Sequence, residues 1–145
     1  MNYPAPPVLS DDAHNEQVVE SIARALVRRG RAVVHLQNAD YFSQRGTHTT
    51  WSVDREALTL TKYVWLEGKR RLLHGGHVLP PGQPLPHELA DTSPADYRLY
   101  TLDEIKELLA RHGLTTQHVF STFNEHSTNA VATGKELTVV SIKTE

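Results

Sequence analysis

HNEQVVESIARALVRRGRAVVHLQ, residues 14–37, decides the fold. Val18, Val19, Ile22, Ala23, Leu26 and Val27 recur at three- and four-residue steps, which places them on one face of a helix over about His14 to Arg29. Ser10-Asp11-Asp12 supplies capping side chains ahead of it, and Gly30 is a natural stop. Glu16 and Glu20 lie towards the helix start and Arg28 and Arg29 at its end, as the helix dipole favours. Arg31 then opens Ala32-Val33-Val34-His35-Leu36-Gln37, a mostly apolar run of the kind found in strands buried on both faces. Helix, glycine and buried strand form an α/β unit.

Working outward, residues 1–9 carry Pro4, Pro6 and Pro7 and read as an extended arm, with Val8-Leu9 ending a short strand. Downstream, Thr47 to Val53 and Ala57 to Leu66 are rich in Thr, Val, Trp and Tyr, which suit a pleated sheet. Leu58, Leu60, Val64 and Leu66 share one strand face, interrupted by Lys62; Thr59, Thr61, Tyr63 and Trp65 share the other. Glu67-Gly68 signals a tight turn, and Lys69 to Val78 returns as the antiparallel partner. A proline-rich loop follows (Pro80, Pro81, Pro84, Pro86), and order resumes at Asp96 to Tyr100. Thr101-Leu102-Asp103-Glu104 is a capping box. It opens a helix whose buried stripe is Leu102, Ile105, Leu108 and Leu109 and whose stop is Gly113. Leu114 to Ser121 reads as a strand, Asn124 to Gly134 as a polar loop, and Glu136 to Lys143 as a final strand.

Composition narrows the function. The chain has 145 residues, 15 basic and 17 acidic side chains, 9 histidines and no cysteine. That length fits one domain, 1–145, with a helix and buried strand over 8–46, a hairpin insertion over 47–96 and a last helix with closing strands over 97–145. A net charge of -2 argues against a nucleic-acid partner held by a broad basic surface. The absence of cysteine removes disulfides, thiol catalysis and thiolate metal sites. Apolar runs are too short to span a membrane and no secretory signal is visible, so a soluble, cytoplasmic protein is expected.

Two stretches resemble class I S-adenosylmethionine-dependent methyltransferases of the small-molecule type. Asn15 to Val34 is similar to that family's helix, glycine turn and fifth strand, with Arg28-Arg29-Gly30 where the family usually has a Pro-Gly-Gly-like turn. Tyr97 to Leu114 with Val119-Phe120 resembles the last helix and following strand, and Leu137 to Ile142 the closing antiparallel strand. The resemblance implies a partial Rossmann-like α/β sheet made of the family's C-terminal strands. It also implies that the hairpins from Thr47 to Val78 are an insertion covering the methyl acceptor. The glycines are 30, 46, 68, 75, 76, 82, 113 and 134, and no pair has Gly-x-Gly spacing. In the family that spacing lets the backbone approach the cofactor. The cofactor-binding half is therefore expected from elsewhere, and S-adenosylmethionine only with a partner chain that supplies the Gly-rich loop. A strand edge left without its neighbour invites association, so either that partner or a homo-oligomer is expected.

Candidate chemistry follows the strand ends. His35 is a general base near an acceptor or a core histidine satisfied by one bond. Asn38 and Tyr41 follow the C-terminal end of that strand, where ligands bind in open α/β sheets, or are ordinary loop residues. The resemblance implies that Asp11, with Ser10 and Asp12, faces the transferring methyl group; a plain helix cap is the favoured explanation. Trp51, Tyr63 and Trp65 are expected to form an aromatic wall over a small-molecule acceptor, with sheet packing as the other explanation for Tyr63 and Trp65. His74 and His77, in His-Gly-Gly-His, read as turn histidines rather than a metal site. Three functions remain open: the acceptor-binding half of a split or heteromeric methyltransferase, a non-catalytic methyltransferase-derived subunit or binding protein acting through its exposed sheet edge, and a small-molecule enzyme reusing the hairpin pocket.

Overall fold

The computed structural model describes residues 11–84, 95–121 and 134–144. The expected arm and strand end at Val8-Leu9, Ser10 of the cap, Pro86 and most of the 124–134 loop lie outside the described residues.

Helix α1 runs from Asp12 to Ala25, with Asp11 as N-cap accepting from the His14 backbone N–H at 2.8 Å. It stops four residues before the expected end, for a tertiary reason. Lys143 Nζ donates to the carbonyls of Ala23 and Leu26, both at 2.8 Å, so the last helical carbonyls are met from the C-terminal strand. Leu26 is extended, Arg29 takes a left-handed φ of 63°, and Gly30 N–H closes a turn on the Val27 carbonyl. A Cβ on Gly30 would lie 2.7 Å from that carbonyl oxygen, so only glycine fits. Val27, expected on the buried face, leaves the helix and is 76% exposed.

Strand β1 (Arg31–Gln37) forms the edge of a three-stranded sheet ordered β1-β7-β6, where β6 is Leu114–Phe120 and β7 is Glu136–Lys143. Both pairings are antiparallel, and β6 carries an irregularity between Thr116 and His118. Helix α3 (Leu102–Arg111) has the expected capping box between Thr101 and Glu104. Ala32, Leu36, Leu114, Leu137 and Val139 form one core with Val19 and Ala23 of α1 and Ile105, Leu108 and Leu109 of α3. The expectation that β1 is buried on both faces is corrected: Ala32 and Leu36 are buried, whereas Val33 and His35 on the alternate face are exposed.

The second sheet has four antiparallel strands, β2 (His48–Val53), β3 (Leu58–Leu66), β4 (Arg71–Leu79) and β5 (Ala95–Arg98), in that order. The β3–β4 reversal falls at Glu67–Lys69, as the Glu67-Gly68 signal predicts, with Arg70 left-handed after it. His74 and His77 are mid-strand rather than in a turn; they pair with Tyr63 and Leu60 and so lie on opposite faces. Tyr63, Trp65 and Leu72 pack against Phe42 and Ala39 of helix α2 (Ala39–Arg45) and against Leu99, making a second core.

Among the described residues the result is a mixed α/β fold of two antiparallel sheets and three α-helices. It contains no parallel ladder of Rossmann type; one parallel bridge joins Asn38 and Tyr100. No described helix is long and apolar enough to cross a membrane.

Candidate functional site

The two cores meet where β1 ends. Asn38 N–H donates to the Lys135 carbonyl at 2.9 Å, and Ala39 N–H to the Tyr100 carbonyl at 3.1 Å. The Asn38 side chain is almost fully buried, donates from Nδ2 to the Gly134 carbonyl and accepts the Asp40 N–H at Oδ1. Its amide therefore caps α2 and ties β1 to the start of β7, which positions the site and leaves little of Asn38 for a ligand.

Over this junction the inner face of the four-stranded sheet presents a row of rings. Cross-strand register sets His48 opposite Tyr63 and Tyr63 opposite His74. Successive ring centroids lie 4.9 Å apart (His48–Tyr63), 5.6 Å (Tyr63–His74) and 5.4 Å (His74–Tyr97). Phe42 supports the row from below, 5.6 Å from the Tyr63 ring. Lys135 Nζ donates to Tyr63 Oη at 3.2 Å and stands 5.0 Å from the ring centroid, a cation–π distance. Burial holds the His74 imidazole below its ordinary pKa, and the nearby Lys135 charge adds to this. His74 thus lies within an aromatic surface that favours the neutral form of its imidazole.

Not all of the sequence candidates reach this surface. Tyr63 and Trp65 share the buried face as expected, and Trp65 Nε1 donates to Glu67. Trp51 does not join them: it pairs with Leu60, one residue out of phase with Tyr63, so it sits on the opposite face at 72% exposure. Tyr41 packs edge-on to Phe42 on α2, with Arg45 over its ring. His35 Nδ1 lies 2.9 Å from Thr138 Oγ1 and Nε2 3.7 Å from Glu136, on the outward face of the three-stranded sheet. Asp11 serves as the helix cap, and its neighbour Asp12 carries the longer-range contacts. Tyr100 Oη donates to Asp12 at 2.8 Å and accepts from Asn15 Nδ2 at 3.0 Å; Arg98 bonds the same Asp12 oxygen at 3.0 Å. Burial raises the Tyr100 pKa to about 12, the Asp12 carboxylate adding to the effect, so its phenol stays protonated.

His48, His74, Tyr97, Lys135 and Tyr100 are functional candidates that sequence reasoning missed. His48 and His74 were recoverable by carrying the Tyr63 face across both neighbouring strands, because register dictates the partners. Lys135 and Tyr100 come from distant segments and gave no local signal. Among the described residues no group of three His, Asp or Glu side chains converges as a metal site. A cavity of about 90 Å³ between α1, β1 and α3 is lined by Val18, Ile22, Val34, Leu36, Leu108 and Asn15. The Asn15 Oδ1 is buried without a hydrogen-bond partner.

No protein-family model matches the chain, and no curated protein matches it by sequence. Solved structures do match. Over 89% of this chain the fold superposes on 52% of the CcbJ methyltransferase from Streptomyces caelestis, at a TM-score of 0.69 and 16% identity. Over 92% it superposes on 52% of an S-adenosylmethionine-dependent methyltransferase from Clostridium acetobutylicum, at 0.62 and 11% identity. The chain thus has the fold of a methyltransferase fragment and spans about half the length of the structures it matches.

One of these two structures is an S-adenosylmethionine-dependent methyltransferase by its own description. A Cβ added to Gly30, Gly76 or Gly134 would meet the chain's own atoms at 2.7, 2.7 and 2.8 Å, whereas at Gly46, Gly68, Gly82 and Gly113 it would meet nothing within 4 Å.

Proposed function

We propose that this chain is the acceptor-binding half of a split or heteromeric class I methyltransferase acting on a small molecule, with a partner chain supplying the cofactor loop. The observation that carries this reading is the superposition of nine-tenths of the chain on one half of a methyltransferase at a TM-score of 0.69. The chain's own residues bind and orient the acceptor. Tyr63 and Tyr97 offer aromatic surface, Lys135 sets the Tyr63 hydroxyl, and His74 is the neutral imidazole suited to take the acceptor's proton. The cofactor and the methyl group belong to the complementary half. The strand set corresponds, in this reading, to the C-terminal part of a Rossmann-like sheet, and the setting is the cytoplasm.

Calorimetric titration of the chain alone with S-adenosylmethionine is expected to show no binding; tight binding would sink the proposal. Co-expression with a chain carrying a Gly-x-Gly half is expected to yield both cofactor binding and methyl transfer. Cofactor binding without turnover would favour the second reading, a non-catalytic methyltransferase-derived subunit, in keeping with β1 lying at the edge of its sheet among the described strands.

A further inference from the structure

Between the three-stranded sheet and its helices lies a polar side chain that the fold leaves half satisfied. Asn15 of α1 is 3% exposed, and its Oδ1 has no hydrogen-bond partner among the described residues. Neighbours fix which way its amide points. A carboxylate only accepts, so Tyr100 Oη donates to Asp12 at 2.8 Å and itself accepts from Asn15 Nδ2 at 3.0 Å. Oδ1 is the end left over. A buried acceptor without a donor is rare in folded proteins and calls for a cause.

Asn15 lines the cavity of about 90 Å³ between α1, β1 and α3, with Val18, Ile22, Val34 and Leu108 among its other walls. One site thus joins hydrocarbon walls to an acceptor lacking its donor. A lone water would meet the acceptor but leave those walls unfilled. Size narrows the occupant further. An apolar cavity of about 150 Å³ takes benzene, so on the same scale this one takes about four heavy atoms. A charged amine would carry its charge among apolar walls, which is costly, whereas a hydroxyl needs only the one acceptor.

We infer that this cavity binds a short aliphatic alcohol, its hydroxyl donating to Asn15 Oδ1 and its carbons lying among Val18, Ile22, Val34 and Leu108. The site shares no residue with the row formed by His48, Tyr63, His74 and Tyr97. It is therefore separate from the acceptor surface and does not rest on the half-methyltransferase reading.

The probes are isopropanol and acetone, equal in heavy atoms, of which only the alcohol can donate. Each is titrated into the intact, isotope-labelled chain and followed by amide NMR shifts. Saturable shifts at α1 and β1 are expected for isopropanol, in the millimolar range open to a ligand of about four heavy atoms. Acetone should bind about fivefold more weakly or worse, for want of one hydrogen bond. Val18→Phe, at a half-buried wall, should fill the space and abolish saturable binding. Asn15→Leu should bring the two probes to equal affinity; Val18→Phe leaves the Asn15–Tyr100 contact in place, so the test stands even if Asn15→Leu fails to fold. Absence of saturation with isopropanol, equal affinity of the two probes for the wild-type chain, or binding insensitive to Val18→Phe overturns the inference. Tighter binding of acetone also overturns it, because Nδ2 would then face the cavity. So does a crystal soaked in isopropanol that shows water alone on Asn15 Oδ1.

Discussion

The two sheets solve burial differently. The three-stranded sheet packs aliphatic side chains, with Leu137 and Val139 fully buried beneath two helices. The four-stranded sheet packs rings, with Tyr63 and Trp65 over Phe42 and a row extending through His48, His74 and Tyr97. Aliphatic packing can only hold a shape. A row of phenols and imidazoles holds a shape and also offers donors, acceptors and a titratable nitrogen. In the proposed reading, the three-stranded sheet is the scaffold and the four-stranded sheet carries the acceptor surface.

The largest test of that division is Phe42→Ala, which removes the ring beneath the row. It is expected to destabilise by about 3–5 kcal/mol in urea unfolding and to abolish acceptor binding by the reconstituted enzyme. Leu137→Ala, at the centre of the other core, should cost about 2–5 kcal/mol while leaving the KM for the acceptor within about twofold once folded protein is isolated. Equal effects on acceptor binding from both changes would break the distinction. Asn38→Ala cuts the tie between the regions and strands the Gly134 carbonyl and Asp40 N–H. A loss of about 1–3 kcal/mol is expected by chemical denaturation.

A smaller effect concerns pH. Tyr100 has a folded pKa of about 12 against an ordinary value near 10, so the folded state keeps its proton where the unfolded state loses it. Its contribution is complete below about pH 10 and disappears between about 10 and 12, on the order of 1 kcal/mol. Tyr100→Phe should remove that alkaline step; an unchanged unfolding profile would refute the assignment. Smallest of all, Trp51→Ser on the outward face should change stability by about 0.5 kcal/mol or less and leave acceptor binding alone. A marked loss of binding would return Trp51 to the wall.

Much of the architecture was legible because its signals are local. The spacing of Val19, Ile22 and Ala23, the Asp11 cap, the Thr101–Glu104 box and the Glu67-Gly68 turn are short-range patterns, and each appears in the fold. The end of α1 was not legible, because Lys143, more than a hundred residues away, supplies the side chain that meets its last carbonyls. Trp51 was misplaced because strand phase depends on where the hairpin pairs. A register shift of one residue reverses every side chain. The Asp12–Tyr100–Asn15 contacts and the Lys135–Tyr63 contact join segments separated by 72 to 88 residues, beyond any periodicity.

The sequence by itself determined the order of helices and strands except α2, whose residues it read as loop, together with the Asp11 and Thr101 caps and the absence of thiol chemistry, since each depends on residues within a turn or two or on composition alone. Tertiary structure decided which face of each strand is buried, brought His74, Tyr63 and Lys135 together, and left Val33 exposed. Those outcomes depend on strand register and layer packing, which couple residues far apart along the chain.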